Sequence, residues 1–584
     1  MLKNSVHIKF HSLPIHCCHE GKVIDNILIK ICSTRRHNSS DYKLIGKYIP
    51  FSLLSFLAFI FQIFIFTFFD ILQILTLKLE FSTYDYPKRA ILDMISRNKM
   101  WVAEENIIIT LINKKSNKMS NKGVYRQIYV TIVATTSIFI SGMWLGWPSS
   151  VVEKFVKHET DFNATMDELS WIVATMDLGN VISPLVAGHL MDWMGRKPST
   201  AMLGPLFIVS WALALFVPTT WALYTARLLA GMGKGMSYTV VPVYLGEIAS
   251  PAIRGALGSV FCLQLHFGFL LEAVIGQLLS YHMLNAVSAV LPVLFFVTVV
   301  WLPESPYYLL KRGRRPQAAV CLRWFRDGGD VTPELDQMEV NVRKEMENRS
   351  TFRELFASRK DMRALAIVVA ACATQRAGGI SCIIAYSALI LPENGSLLNK
   401  HESVMLFAVT LAVVNLLAVA LVDRVGRKPL LLLSEAGMAI VMLTFTVFFY
   451  CSRGDGGEWV TREFAWLPYL CHWSYAVMFA AGVGFVPVVF LGEMFPVNIR
   501  SHCSAIASIT LALCSFVTNK MFLFVSNRYG YYAMFSLFTV INFAGTLYTY
   551  KYAIETKGKT LQEIQEQLHD TVGHRREKTN QNDI

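Results

Sequence analysis

Charge is what this 584-residue chain has least of: Asp, Glu, Lys and Arg make up 16% of it, against 53% hydrophobic residues. An ordinary soluble protein carries about 25% charged residues, so a string of water-soluble domains is excluded. The eleven cysteines lack the paired spacing of a zinc site and sit mostly inside apolar runs, as Cys372, Cys382 and Cys514 do. They read as small core side chains, and neither a metal site nor a cofactor is expected. A nucleophile elbow and a phosphate loop are also missing, so the chain does not read as an enzyme. The first residues show neither the apolar h-region nor the cleavage site of a signal peptide. Lys and Arg (54) outnumber Asp and Glu (42), giving +12. In so apolar a chain this excess is expected in loops that fix membrane orientation and not on a nucleic-acid surface.

What the chain has in abundance is apolar runs of helix length. A bilayer crossing needs about 20 residues, and in lipid the backbone must satisfy its own hydrogen bonds, so these runs read as helices. Twelve are expected, at 128–148, 167–190, 199–218, 221–246, 255–281, 285–302, 363–391, 404–422, 429–450, 465–491, 502–525 and 530–552. Lys and Arg gather after the second, fourth, sixth, eighth and tenth of them (Arg196, Lys197; Arg254; Lys311 to Arg315; Arg424, Arg427, Lys428; Arg500), which places both ends of the unit in the cytosol. The expected organisation is an extension at 1–126, six helices at 127–303, a cytoplasmic linker with short helices at 304–362, six helices at 363–552 and a polar tail at 553–584. The sequons at Asn163 and Asn394 then fall outside as glycosylation candidates, while that at Asn348 falls inside. A fourth, at Asn38, lies in the extension, on an undecided side. Within the extension, the uncharged run near 50–69 leaves three readings open: an interfacial or re-entrant segment, an extra span, or an artefact of gene prediction. The polar text around it reads as disordered linker.

The two halves repeat one another. Asp192-Trp193-Met194-Gly195-Arg196-Lys197 recurs as Asp423-Arg424-Val425-Gly426-Arg427-Lys428, and Leu245-Gly246-Glu247 recurs as Leu491-Gly492-Glu493, 55 and 70 residues after the respective Asp. The glycine permits a tight turn between helices, and Asp and Arg can pair with the Glu and Arg at the neighbouring helix end. Internal symmetry of this kind is typical of secondary transporters, with a site near mid-membrane between halves that rock.

With Arg227-Leu228-Leu229-Ala230-Gly231-Met232-Gly233-Lys234-Gly235, Pro303-Glu304-Ser305-Pro306 and Glu555-Thr556-Lys557-Gly558-Lys559-Thr560, the chain from about 127 to 565 resembles the sugar porters of the major facilitator superfamily, and among them the insect facilitated trehalose transporter-like proteins. The resemblance implies an all-α fold of two six-helix halves, alternating access, and a cytoplasmic gate of Asp192, Arg196, Glu247, Arg254, Glu304, Asp423, Arg427, Glu493, Arg500 and Glu555. The pocket pattern departs from the family. Where sugar porters have Gln-Gln-x-x-Gly-Ile-Asn, the chain reads Gln375-Arg376-Ala377-Gly378-Gly379-Ile380-Ser381. Cys262 stands at the fifth-helix Gln position with Gln264 nearby, the tenth-helix Trp is missing from Gly484-Phe485-Val486-Pro487-Val488, and Leu511-Ala512 replaces Asn-Trp. The expected substrate contacts are Gln375, Arg376, Ser381, Tyr386, Gln264 and Cys262.

Arg376 lies 13 residues into its span, near the midplane, where a charge is expensive and usually functional. Its partner is either an anionic solute group or an internal carboxylate, Asp177 or Glu272. His266 reads as a satisfied core residue and Lys520 as a snorkelling or paired one. Proton-linked sugar porters place an Asp after the first-helix Gly-Tyr; here Gly146-Trp147 is followed by Pro148, which cannot titrate. The expected function is a uniporter of trehalose or a hexose, monomeric, in the plasma membrane, with a small-molecule solute and the bilayer as its partners. Two alternatives stay open: a non-transporting receptor that keeps the fold, and a carrier of a different, anionic solute.

Overall fold

The computed structural model describes residues 121–568, apart from 252, 329, 348–354, 357, 394–398, 454–456, 560 and 561. The apolar run near 50–69, the Asn38 and Asn348 sequons, and Asn394 all lie outside the described residues. Every regular element among them is helical.

The first half holds α1 (Asn121–Val156), α2 (Met166–Met194), α3 (Arg196–Ala201) continued by α4 (Leu203–Phe216), α5 (Thr220–Ile248), α6 (Arg254–Leu278) and α7 (Tyr281–Val299). Three short helices follow, α8 (Pro306–Lys311), α9 (Arg315–Arg326) and α10 (Thr332–Glu347). The second half holds α11 (Arg359–Ala377) with α12 (Ile380–Ile390), α13 (Lys400–Val425), α14 (Arg427–Cys451), the short α15 (Gly457–Glu463), α16 (Leu467–Ala481) with α17 (Val486–Met494), α18 (Val497–Tyr529) and α19 (Tyr531–Tyr552). With the broken pairs joined, twelve helical runs stand where twelve apolar runs are read in the sequence. Nine of them are long and apolar enough by composition to cross a membrane, or ten if α2, bent by 45° after Pro184, is one span. One that falls short, α5, carries Arg227, Lys234 and Glu247 in its own length.

These helices are packed inside out relative to a soluble bundle. On α7, Leu284, Asn285, Ser288 and Phe295 are buried, while Val290, Leu294 and Val297 are each more than half exposed. Such a surface is stable only where the surroundings are as apolar as the side chains. Backbone groups freed where helices break find partners from other helices. At the Gly378–Gly379 break between α11 and α12, the Gly378 carbonyl accepts from Tyr475 Oη (3.0 Å) and Asn542 Nδ2 (3.0 Å). At the break between α16 and α17, the Val483 N–H donates to Ser434 Oγ (3.0 Å).

Candidate functional site

Two clasps built on one plan sit at the same end of the two halves. Gly195, between α2 and α3, has φ +105°, and Gly426, between α13 and α14, has φ +106°. Each turn leaves the first N–H groups of the next helix without an intrahelical acceptor. A carboxylate fills each place: Glu304 accepts from the backbone N–H of Arg196 (3.0 Å) and Lys197 (3.1 Å), and Glu555 from those of Arg427 (3.1 Å) and Lys428 (3.0 Å). Burial of Glu555 favours its neutral form, but the N–H groups of Lys557, Arg427 and Lys428 outweigh this and hold its carboxyl below the usual range.

The arginine of each turn reaches the glutamate of the neighbouring helix. Arg196 grips both oxygens of Glu247 at 2.6–3.0 Å, and the Ser305 hydroxyl donates to the same carboxylate. Arg427 donates to Glu493 (2.8 Å) and Asp423 (3.0 Å), with Thr556 Oγ1 on Glu493 at 2.6 Å. Eight of the ten expected gate residues are therefore gathered in the two clasps. Arg254 and Arg500 are not: each guanidinium instead donates to the carbonyl five residues before it, Ala249 (3.4 Å) and Phe495 (3.0 Å).

Both clasps lie within a half. The described ion pairs that cross between the halves are at the other end: Glu153 with Lys400 (2.8 Å), His401 lying 3.7 Å from the same carboxylate, and Lys520 with Asp167. Lys520 also donates to Ser170 (2.8 Å) and lies 4.4 Å over the Trp171 ring. Beside this end Asn163 is exposed, and Thr165 of its sequon caps α2.

Midway between the two ends, a cavity of about 60 Å³ separates the halves. Its walls carry Asp177, Asn180, Lys234, Tyr238 and Thr239 from the first half and Arg376, Ser508, Leu511 and Ser515 from the second. Asp177 is the polar hub: Lys234 Nζ stands 3.9 Å from its Oδ1, while Ser515 Oγ (2.7 Å) and Asn519 Nδ2 (2.9 Å) donate to its Oδ2.

Of the six expected substrate contacts, only Arg376 lines this cavity, and helix breaks explain much of the difference. Gln375 Nε2 donates to the carbonyls of Val483 (2.8 Å) and Gly484 (3.0 Å), groups that the α16–α17 break leaves without helical partners. Tyr386 is buried, its hydroxyl on the Asn519 carbonyl (3.2 Å) and its ring stacked on Phe522. Ser381 is buried within 2.8 Å of Ser515 Oγ, one layer behind the wall. Cys262 gives its carbonyl to His266 Nδ1 (2.7 Å), and Gln264 is half-buried outside the cavity lining. The expected partners of Arg376 are also engaged elsewhere, Asp177 as above and Glu272 with Ser288 Oγ (2.9 Å). Sequence reasoning missed Asp177 as a hub and Lys234 as a wall residue. The rule that singles out Arg376, a charge deep in an apolar run, applies to Lys234 as well.

A family described as sugar (and other) transporter matches residues 115–568. The facilitated trehalose transporter Tret1 of Polypedilum vanderplanki is 30% identical over 453 residues, covering 76% of this chain and 89% of that protein. The protein of the same name from Drosophila yakuba is 29% identical over 454 residues, and this chain spans 52% of its length. Among solved structures, the inward open conformation of the xylose transporter XylE from E. coli superposes with a TM-score of 0.62 at 22% identity, over 75% of this chain and 99% of that one. XylE bound to 6-bromo-6-deoxy-D-glucose gives 0.59 at 23%, over 76% and 100%. At these identities the solved structures speak for the fold.

Proposed function

We propose that this chain, which belongs to the sugar (and other) transporter family, is a uniporter that carries a sugar-class solute such as trehalose or a hexose across the plasma membrane by alternating access. The halves are assigned to 127–303 and 363–552, joined by a cytoplasmic linker at 304–362, with the clasp end facing the cytosol and Asn163 and Asn394 outside. The protein acts as a monomer.

One observation carries the reading. Among the described residues, the ion pairs between the halves lie at the far end, while Arg196 and Arg427 at the clasp end pair inside their own halves. A carrier needs two rigid bodies that hold together at one end of a central cavity at a time, and internally closed clasps let each half move without exposing unpaired charge. Asp177 and Lys234 in one wall and Arg376 in the other give the solute contacts from both bodies. Uniport is supported by Pro148, since the first helix offers no carboxyl at that position.

Purified protein in liposomes should take up at least one of labelled trehalose, glucose and glucuronate with saturation, and an imposed pH gradient should concentrate none of them. Solute binding without flux for the whole panel would remove the carrier reading in favour of a receptor. Accumulation driven by the pH gradient would remove uniport.

A further inference from the structure

Two arginines lie deep in the membrane-spanning part of the chain, and their surroundings are opposite. Arg227 is fully engaged: its guanidinium donates to the carbonyls of Trp144 (2.6 Å), Ile172 (3.0 Å) and Val173 (3.2 Å), and the rings of Trp144 and Trp147 stand 5.6 Å away. That arrangement disperses a fixed charge into the scaffold. Arg376 is half-buried in the cavity wall, and its guanidinium makes no hydrogen bond or ion pair among the described residues. The one carboxylate of the cavity, Asp177, is held by Lys234, Ser515 and Asn519. Arg376 and Lys234 line the same cavity of about 60 Å³. The wall therefore holds two positive groups and one negative, an excess of one positive charge around a cavity of about 60 Å³. An uncompensated charge there is costly, and the cost falls when an anion enters.

The rest of the wall restricts the anion. Asn180, Tyr238 and Ser508 offer amide and hydroxyl groups, and Thr239, whose hydroxyl donates to the Gly235 carbonyl (2.9 Å), offers an acceptor, which suits a polyhydroxylated body. A guanidinium fork matches a planar carboxylate through two parallel hydrogen bonds. One excess positive charge balances one negative charge, whereas a phosphate monoester brings about −1.5 to −2 at neutral pH. We infer that the preferred sugar-class solute is a monoanionic polyhydroxy carboxylate of the hexuronate type, its carboxylate held by Arg376. The inference rests on the carrier reading for its use in transport but not for the binding itself.

The test uses the full chain in liposomes with labelled glucuronate, glucose and glucose 6-phosphate, and the detergent-solubilised protein with the same solutes in a thermal-shift binding assay. Glucuronate is expected to be taken up at least tenfold more efficiently than glucose or glucose 6-phosphate, and faster when the liposome interior is positive, because each turnover moves one charge. Arg376→Gln should abolish the preference and the response to potential, and Arg376→Lys should retain part of both. Retention of that part by the Lys variant separates loss of charge from loss of folding. Saturable flux in which glucose or glucose 6-phosphate equals or exceeds glucuronate overturns the inference while leaving the carrier reading intact. If no solute is transported, the carrier reading fails and binding decides: glucuronate binding weakened at least tenfold by Arg376→Gln upholds the inference, and absent or unaltered binding overturns it.

Discussion

The two clasps use the same letters in different settings, and the settings decide how much each holds. In the first, Arg196 and Glu247 have side chains 6% and 11% exposed; in the second, Arg427 and Glu493 are 12% and 29% exposed. The difference comes from what covers them. The short helix α8 lies against the first clasp, where Lys311 pairs with Asp192 (2.7 Å), Tyr308 Oη donates to the Trp193 carbonyl (3.1 Å), and the Tyr308 ring stands 5.4 Å from the Arg196 guanidinium. Among the described residues, the stretch after α19 lies on the second, through Glu555 and Thr556. A repeated motif therefore fixes which residues meet, and the segment laid over it fixes how dry the meeting is.

Removing one partner of a dry ion pair leaves the other charge buried, so the largest contrast is expected at the arginines. Arg196→Ala should destabilise the protein by about 3–5 kcal/mol and Arg427→Ala by roughly 1–3, because water can reach Glu493. Thermal unfolding in detergent should show the first variant melting clearly below the second. Equal losses would mean that burial does not separate the clasps. The glycines come next. A Cβ at Gly195 would stand 2.3 Å from Glu304 Oε2, and at Gly426 2.7 Å from Glu555 Oε2, both at a strongly positive φ. With ψ of 177° and 162° both sit in an extended region that is essentially reserved to glycine, so alanine at either carries a backbone penalty of about 1–3 kcal/mol. Gly195→Ala should add displacement of a carboxylate that caps two N–H groups and so exceed Gly426→Ala by about 1 kcal/mol. A smaller loss at Gly195 would show that Glu304 can shift without leaving its helix end.

The clasps were legible in the sequence because their motifs recur, and the helices because lipid demands long apolar runs. The cavity was not, and the reason is local. Whether Gln375 faces a solute or a backbone carbonyl depends on the break at 482–485; Gly482, Gly484 and Pro487 mark its place but not which side chain satisfies it. Gly378 and Gly379 signal one break, but the groups that satisfy it, Tyr475 and Asn542, come from elements distant in sequence. Asp177 escaped notice as a hub because its partners Ser515 and Asn519 are 338 and 342 residues away. Arg254 and Arg500 were placed with the clasps by analogy of position, whereas each donates to a carbonyl of its own turn.

The smallest effect expected is also the sharpest test of what makes the first clasp stronger. Asp192 and Asp423 are both mostly exposed, 58% and 64% at the side chain. Asp423 pairs with Arg427 of its own clasp (3.0 Å), while Asp192 stands 3.9 Å from Arg196 and pairs more closely with Lys311 of α8. Exposed pairs contribute about 0.2–1 kcal/mol and weaken with salt, so Asp192→Asn and Asp423→Asn should each lower stability by less than about 1 kcal/mol. A double-mutant cycle between Asp192→Asn and Lys311→Gln should return a coupling in that range, reduced at high ionic strength. If the coupling instead reached the size of the Arg196→Ala loss, α8 would be held to the first half by charge. Burial of Arg196 and Glu247 would then be a consequence of that tether and not the source of the clasp's strength.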